Sequence, residues 1–454
     1  VLIFSENSIA FYIAYFAVWQ IGAIAVPVNI FLHSKELSYI IKDSEPVAII
    51  CSGLLKSNIE DLVTQNYLDK LPTIFTTQDI DFISPVPDES VPDKSTPEAE
   101  LLANFEIERL ETDELCLLLY TSGTTGTPKG VMLSSRNIMT NAIQAYSRFN
   151  MMGLTDKERF FCVLPLFHVF AQNACLWLPL ITGSTIIIVQ KIDRKLILEG
   201  LKHQPTLFLG FPALYGLLCM MKTAPLDSVK VFVSGADMLP DKIRQAFGMV
   251  YGRKICAGYG LSEASPIVAV NYYNNSMPTN FVGRPLAGIE CDIRDENGKS
   301  LPRGTIGNLW IRGGNIMIGY YKSPTATAKV MDDKWLNTGD LGLVDSRGYL
   351  AISGRVKDII IHKGFNIYPA EIENVLLRHP DVFKAAVVGQ EDSDSGQIPV
   401  AFVAIKSKNN GMEASLRSLC SSNLAAYKVP RKFVCVEDLP MNSTGKVDKK
   451  QLRI

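Results

Sequence analysis

Short unbroken apolar runs, PVAIICS, LCLLLY, GSTIIIVQ, VKVFVSG and KICAGYG, alternate with helical patterns through the first three quarters of the chain. Runs of this kind suit strands buried on both faces, so the pattern predicts an α/β fold with a largely parallel, helix-covered sheet. From Phe281 onward the apolar stretches shorten and turn residues separate them, as in RDENGKS, LPRGTIGNLWIRG and VDSRGYLAISG. That spacing predicts antiparallel strands with hairpins. A small α+β unit follows, with a helix opened by Pro369 (PAEIENVLLRH), strands KAAVVGQ and VAFVAIK, and a last helix near 415–426.

One segment allows two readings. Residues 9–31, IAFYIAYFAVWQIGAIAVPVNIF, are almost wholly apolar and long enough to cross a bilayer. Split instead, the segment gives a buried helix capped by Ser8 and ending near Gly22, then a core strand in AIAVPVN. The Gly-to-Pro break and Asn29 favour the split. A second apolar run, FFCVLPLFHVFAQNACLWLPL, is interrupted by His168, Gln172 and Asn173. The chain begins VLIFSENS, without methionine and inside a strand-like run, so residues are expected to precede it and targeting stays open.

Composition narrows the class. The chain has 454 residues, 47 % hydrophobic and 20 % charged, enough for two or three domains with large cores. A formal net charge of −1 gives no global attraction for nucleic acid or anionic lipid. The nine cysteines form no C-x-x-C pair and sit mostly in apolar runs, which predicts free thiols in a reducing compartment. Between Thr76 and Glu114, prolines and acids accumulate, and a solvated surface excursion is expected there.

The chemistry concentrates in YTSGTTGTPKG, residues 120–130. Backbone amides of such a loop, leaving a strand, form a nest for phosphate oxygens, and Thr and Ser hydroxyls add donors. The Walker spacing fails, because Gly130 rather than Ser or Thr follows Lys129. GVMLSS reads as a strand and Ser134 or Ser135 as the cap of the helix after it. A plain Gly/Thr surface loop is the bland alternative.

Four further motifs follow in order: GYGLSEASP (258–266), NTGDLG (337–342), GRVKDIIIHKGFNIYPAEIE (354–373) and NSTGKVDKKQL (442–452). Together with the loop they resemble the adenylate-forming (AMP-binding) superfamily, which includes acyl-CoA synthetases, luciferases and the adenylation domains of peptide synthetases. The resemblance runs from end to end and is greatest to medium- and long-chain fatty acid–CoA ligases. It implies a large N-terminal domain, 1–354, of parallel-rich sheets with helices plus a small β-barrel-like antiparallel part. A small mobile α+β domain, 355–454, would act as its lid. The implied activity is ATP-dependent conversion of an acid to acyl-AMP with pyrophosphate release, followed by acyl transfer to the thiol of coenzyme A.

Attack of a carboxylate on the α-phosphate supplies AMP as a leaving group in place of oxide, so the site must hold triphosphate, Mg2+, ribose, adenine and acid. The resemblance assigns the phosphates to Thr121, Ser122, Gly123, Thr124, Thr125, Gly126, Thr127 and Lys129, and the metal to Thr124 and Glu263. Tyr259, flanked by Gly258 and Gly260 and followed by Ser262, offers a face to adenine, with Gly235 and Ala236 opposite. Asp340 and Arg355 are expected at the ribose. Lys446 would bridge α-phosphate and carboxylate oxygens, and Lys357 would be the hinge about which Lys363 and Gly364 reach the site for the thiol step. His168, Val169, Phe170, Trp177, Phe211 and Leu214, with Phe167 beside them, correspond to the acid pocket. No Asp or Lys stands there to pair a substrate ammonium, which disfavours amino acids and favours a fatty acid.

Taken singly, Asp340 reads as a turn residue, Glu263 as a helix-terminal charge, Tyr259 and His168 as core and Lys446 as solvated surface. YGLSEASPIVAVN also resembles acyl-carrier-protein synthetases, so carrier protein competes with coenzyme A as acceptor. An aryl acid competes with a fatty acid. A cytoplasmic enzyme, at most peripheral at a membrane, is expected.

Overall fold

The computed structural model describes residues 1–77, 112–121, 128–271, 278, 280–363, 365–392, 395–406, 411–441 and 447–452. The excursion expected between Thr76 and Glu114 lies almost entirely outside them.

The architecture is bilobal α/β. In the larger lobe, Leu2–Phe4 pairs in parallel with Val26–Pro27 and Ala48–Cys51, and Thr73–Thr76 extends this four-stranded sheet. A six-stranded sheet carries Thr185–Ile188, Arg159–Cys162, Leu207–Gly210, Val231–Ser234 and Cys256–Gly260 in parallel, with Ile267–Val270 antiparallel on its edge. Their Phe, Leu and Val side chains are fully buried between flanking helices, as continuous apolar runs require.

The helix of the ambiguous segment is Ile9–Gln20, with the Ser8 side chain accepting from the Phe11 amide. Twelve residues span about 18 Å, far short of a bilayer core. Among the described residues no helix is long and apolar enough to cross a membrane. Of the polar interruptions of the second run, Gln172 and Asn173 are buried and bonded, whereas His168 is exposed. Tyr15 donates to Gln172 Oε1 at 3.0 Å, and Gln172 Nε2 donates to the Leu166 carbonyl at 2.9 Å.

From Phe281 the strands form an antiparallel sheet in the order Phe281–Gly283, Leu350–Arg355, Trp335–Val344, Gly307–Arg312 and Glu290–Arg294. Its pairings among the described residues run along an open path, and no closure into a barrel is shown. A three-stranded sheet joins Leu115–Thr121, Lys129–Ser134 and Gly319–Tyr320.

The smaller lobe has its own sheet, with Val382–Asp392 and Gly396–Ile405 as a long hairpin pair. Helices Pro369–Leu376 and Met412–Asn423 cover a separate core of Ile360, Ile372, Leu376, Val403 and Leu416. None of the nine cysteines forms a disulfide; Cys219, Cys291 and Cys435 are only partly buried.

Candidate active site

Two strand ends and one hairpin bring the nucleotide motifs together. Tyr259 is the last residue but one of the strand Cys256–Gly260, which turns at once into the 3-10 segment Ser262–Ala264 carrying Glu263. The turn depends on Gly260, since a Cβ there would lie 2.2 Å from the Pro266 carbonyl oxygen. Asp340 and Arg355 face each other across the ladder between Trp335–Val344 and Leu350–Arg355.

The Asp340 side chain is almost wholly buried and fully engaged. Oδ2 accepts from the Tyr259 hydroxyl at 2.6 Å, Oδ1 pairs with Arg355 Nε at 2.7 Å, and its amide donates to Thr338 Oγ1 at 3.1 Å. Burial, then the Asp340 charge, pushes the Tyr259 phenol well above its usual value, so it stays protonated as a donor. The arrangement orders a carboxylate beside an aromatic ring and a guanidinium.

Four residues on from Tyr259, Glu263 Oε1 accepts from the Tyr320 hydroxyl at 2.8 Å. The Lys129 ammonium lies 5.1 Å from the centre of the same Tyr320 ring. Burial lowers the Arg355 value, but the carboxylates around it, Asp340 foremost and Glu263 among them, raise it above its usual value. Glu263 Oε2 receives no hydrogen bond among the described residues. A half-buried carboxylate that shares a tyrosine neighbour with a lysine fits Mg2+, which keeps several waters and binds through one or two carboxylates plus phosphates.

Thr121 ends the strand before the loop. Ser122, Gly123, Thr124, Thr125, Gly126 and Thr127 lie outside the described residues, as do Gly364 and Lys446. Gly235 and Ala236 follow the strand Val231–Ser234, and Ala236 holds a left-handed φ of 67°. The Gly235 Cα faces Phe170, which would meet an added Cβ at 3.1 Å. Lys357 is exposed within Val356–Asp358, and Lys363 is exposed with a φ of 50°.

Of the acid-pocket positions, His168 is exposed rather than in the core. It caps the short helix Val169–Gln172, with Nδ1 accepting from the Phe170 amide at 3.3 Å. Phe170 and Phe211 are half-buried, whereas Val169 and Leu214 are buried. Trp177 stacks on Trp19 at 4.7 Å and 12° and meets Tyr15 and Phe16 edge-on, so its ring belongs to the core behind the pocket segment. Phe167 packs edge-on against Phe31.

Sequence reasoning missed Tyr320 and the amides that hold the motifs. Asn141 binds both backbone groups of Ile267, accepting from its N–H at 2.9 Å and donating to its carbonyl at 2.7 Å. Asn173 bridges Asn141 Oδ1 and the Ser265 carbonyl, and Asn315 donates to the Ala264 carbonyl at 2.7 Å. A buried Asn in an apolar helical run is the one sequence signal that could have pointed here; Asn173 carries it, but from sequence it reads only as an interruption of an apolar run.

The chain belongs to the AMP-binding enzyme family, which matches over residues 1–321 with its C-terminal domain over 371–446. It is thereby an ATP-dependent acid–thiol ligase of the adenylate-forming superfamily. A long-chain-fatty-acid–CoA ligase of Bacillus subtilis is 32 % identical over 467 residues, 97 % of this chain and 82 % of that one. A 4-coumarate–CoA ligase of Vanilla planifolia is 33 % identical over 471 residues, 100 % of this chain and 83 % of that one. Among solved structures, o-succinylbenzoate CoA synthetase of Bacillus subtilis, in complex with its acyl-adenylate intermediate, superposes with a TM-score of 0.85 at 26 % identity, covering 100 % of this chain and 87 % of that one.

Proposed function

We propose that the chain activates an apolar carboxylic acid, aryl acids foremost, as its acyl-adenylate and then passes the acyl group to coenzyme A. The observation that carries this reading is the pair of clusters, Tyr259 with Asp340 and Arg355 and Glu263 with Tyr320 and Lys129, linked by the short turn from Tyr259 to Glu263. Asp340 would take the ribose hydroxyls, Tyr259 and the Gly235–Ala236 turn would flank adenine, and Lys129 would meet the departing pyrophosphate. Glu263, with Thr124, would hold Mg2+, which when bound offsets the charge of the triphosphate. The o-succinylbenzoate synthetase has also been solved with ATP and magnesium ion, which supports the same ligands here.

Lys446 would stabilise charge on the α-phosphate during adenylation, and rotation about Lys357 would exchange it for Lys363 and Gly364 in the thiol step. Aryl acids are favoured by the resemblance to the 4-coumarate and o-succinylbenzoate enzymes. Fatty acids are the second reading, supported by the long-chain relative and by the apolar side chains of Val169, Phe170, Phe211 and Leu214. Carrier protein is the alternative acceptor.

The test is ATP-dependent pyrophosphate release over C2 to C18 straight-chain acids and a set of aryl acids, with and without coenzyme A. The expected result is turnover of at least one aryl acid well above alanine, with thioester appearing only when coenzyme A is added. Rates rising with each methylene, worth ~0.8 kcal/mol of burial, would favour the fatty-acid reading. Equal rates for alanine and every apolar acid would overturn both.

A further inference from the structure

The segment 317–321 lies between two motif segments and bonds to each. The Met317 amide donates to the Glu263 carbonyl at 2.9 Å. The Ile318 amide donates to the Met132 carbonyl at 2.9 Å and the Tyr321 amide to the Gly130 carbonyl at 2.8 Å. Gly319–Tyr320 is thus the edge strand of the sheet whose neighbouring strand starts at Lys129, and Tyr320 stands opposite Val131. At its N–H, Tyr320 is fixed by donation to Thr327 Oγ1 at 2.8 Å. Its side chain reaches both charged groups, Glu263 and Lys129. Its hydroxyl donates to Glu263 Oε1, and its ring lies under the Lys129 ammonium.

Glu263 and Lys129 need opposite things from a neighbour. A carboxylate turned toward a metal needs a donor on its far oxygen, leaving the other lone pairs open. A lysine meant for phosphate must be held without a carboxylate partner that would neutralise it. A phenol meets both demands, since its O–H satisfies the acid and its uncharged π face attracts the ammonium.

We propose that Tyr320 is the positioning residue that aims Glu263 Oε2 at the metal and Lys129 at the phosphates, coupling the two halves of triphosphate binding through one side chain. This rests on the adenylating role proposed above. Tyr320 itself touches no reacting atom. Its hydroxyl sets metal affinity, and its ring sets the affinity for the phosphate tail.

Two variants separate these duties. Tyr320→Phe keeps the ring and removes the hydroxyl, and Tyr320→Leu removes both. Binding of Mn2+ is titrated by electron paramagnetic resonance on the protein loaded with a non-hydrolysable ATP analogue. Pyrophosphate release is measured in parallel against Mg2+, ATP and acid. Losing a hydrogen bond to a charged group predicts about tenfold weaker Mn2+ binding and a similar rise in half-saturating Mg2+ for Tyr320→Phe, with the KM for acid unchanged. Tyr320→Leu should add about a threefold rise in the KM for ATP.

If Tyr320→Phe binds Mn2+ like the parent, the tyrosine is only a packing residue and the proposal fails, whatever happens to thermal stability. If Tyr320→Phe weakens metal and acid equally, the loss is general and the proposal also fails. A parent that releases no pyrophosphate from any acid would instead overturn the functional reading. The Mn2+ titration would still decide the role of Tyr320.

Discussion

Tyr259 shows how one proton ties Asp340 and Arg355 to the end of a neighbouring strand. Its phenol is pushed up by burial and by the Asp340 carboxylate, so the folded protein keeps the proton after an unfolded chain, with a value near 10, would lose it. A folded value above the unfolded one gives stability that is complete below about pH 10 and is lost as pH rises beyond it. Stability of the parent should therefore fall more steeply between pH 10 and 11 than that of Tyr259→Phe. The difference should be at most about 1.4 kcal/mol per pH unit, one proton's worth. Denaturant unfolding at pH 8, 10 and 11 measures it, and parallel curves for the two proteins would remove the linkage. Asp340, Arg355, Tyr259 and Glu263 were all legible in the sequence because the family motifs name them. Their bonds were not legible, because Tyr259 and Asp340 lie 81 residues apart.

At the scale of elements, helix starts were the most readable feature, since capping is a matter of three or four consecutive residues. Ser8, Ser134 and Pro369 each stand where the sequence placed a helix start. Strand-to-loop junctions near the site depend instead on distant amides. Asn141 projects from the helix Ser135–Met151 and uses all four of its hydrogen-bonding positions, on Ile267 twice, on Asn173 and on Gln144. It acts as a strand partner for Ile267, 126 residues away, and so fixes the turn that carries Glu263. No local pattern announces such a residue, whose helical neighbours are ordinary. Asn141→Leu has similar volume but strands the N–H and carbonyl of Ile267 in the core, which should cost about 3 kcal/mol. A lowered denaturant midpoint, with Mg2+ affinity weakened alongside, is the expected outcome. An unchanged midpoint would mean that water replaces the amide and that the turn holds itself.

At the scale of the whole molecule, the relation of the two lobes turns on a lysine that breaks a local rule. Lys242 sits in the first turn of the helix Asp241–Tyr251, where a cation opposes the helix dipole. Its ammonium instead crosses to the smaller lobe and donates to the carbonyls of His379 at 3.2 Å, Pro380 at 3.0 Å and Val382 at 2.9 Å. All three of its protons are thereby used, and Asn374 adds a contact to the Met238 sulfur at 3.5 Å. Burial, and then the nearby Lys406, lower the Lys242 value, while Asp381 acts against both. A cation placed against its own dipole, desolvated and near another cation, is explained by what it grips. The grip favours one orientation of a lobe whose own core of Ile360, Ile372 and Leu416 is independent of it. Lys242→Met keeps the stem and removes the three donors, so both lobes should stay folded while their relative orientation loosens. Solution scattering should then show a broader distance distribution. If the two half-reactions use different lobe orientations, as proposed above, single-turnover assays should show them changing unequally, by about five- to tenfold in their ratio. Unchanged scattering together with an unchanged ratio would leave Lys242 a surface contact with no part in lobe orientation or turnover.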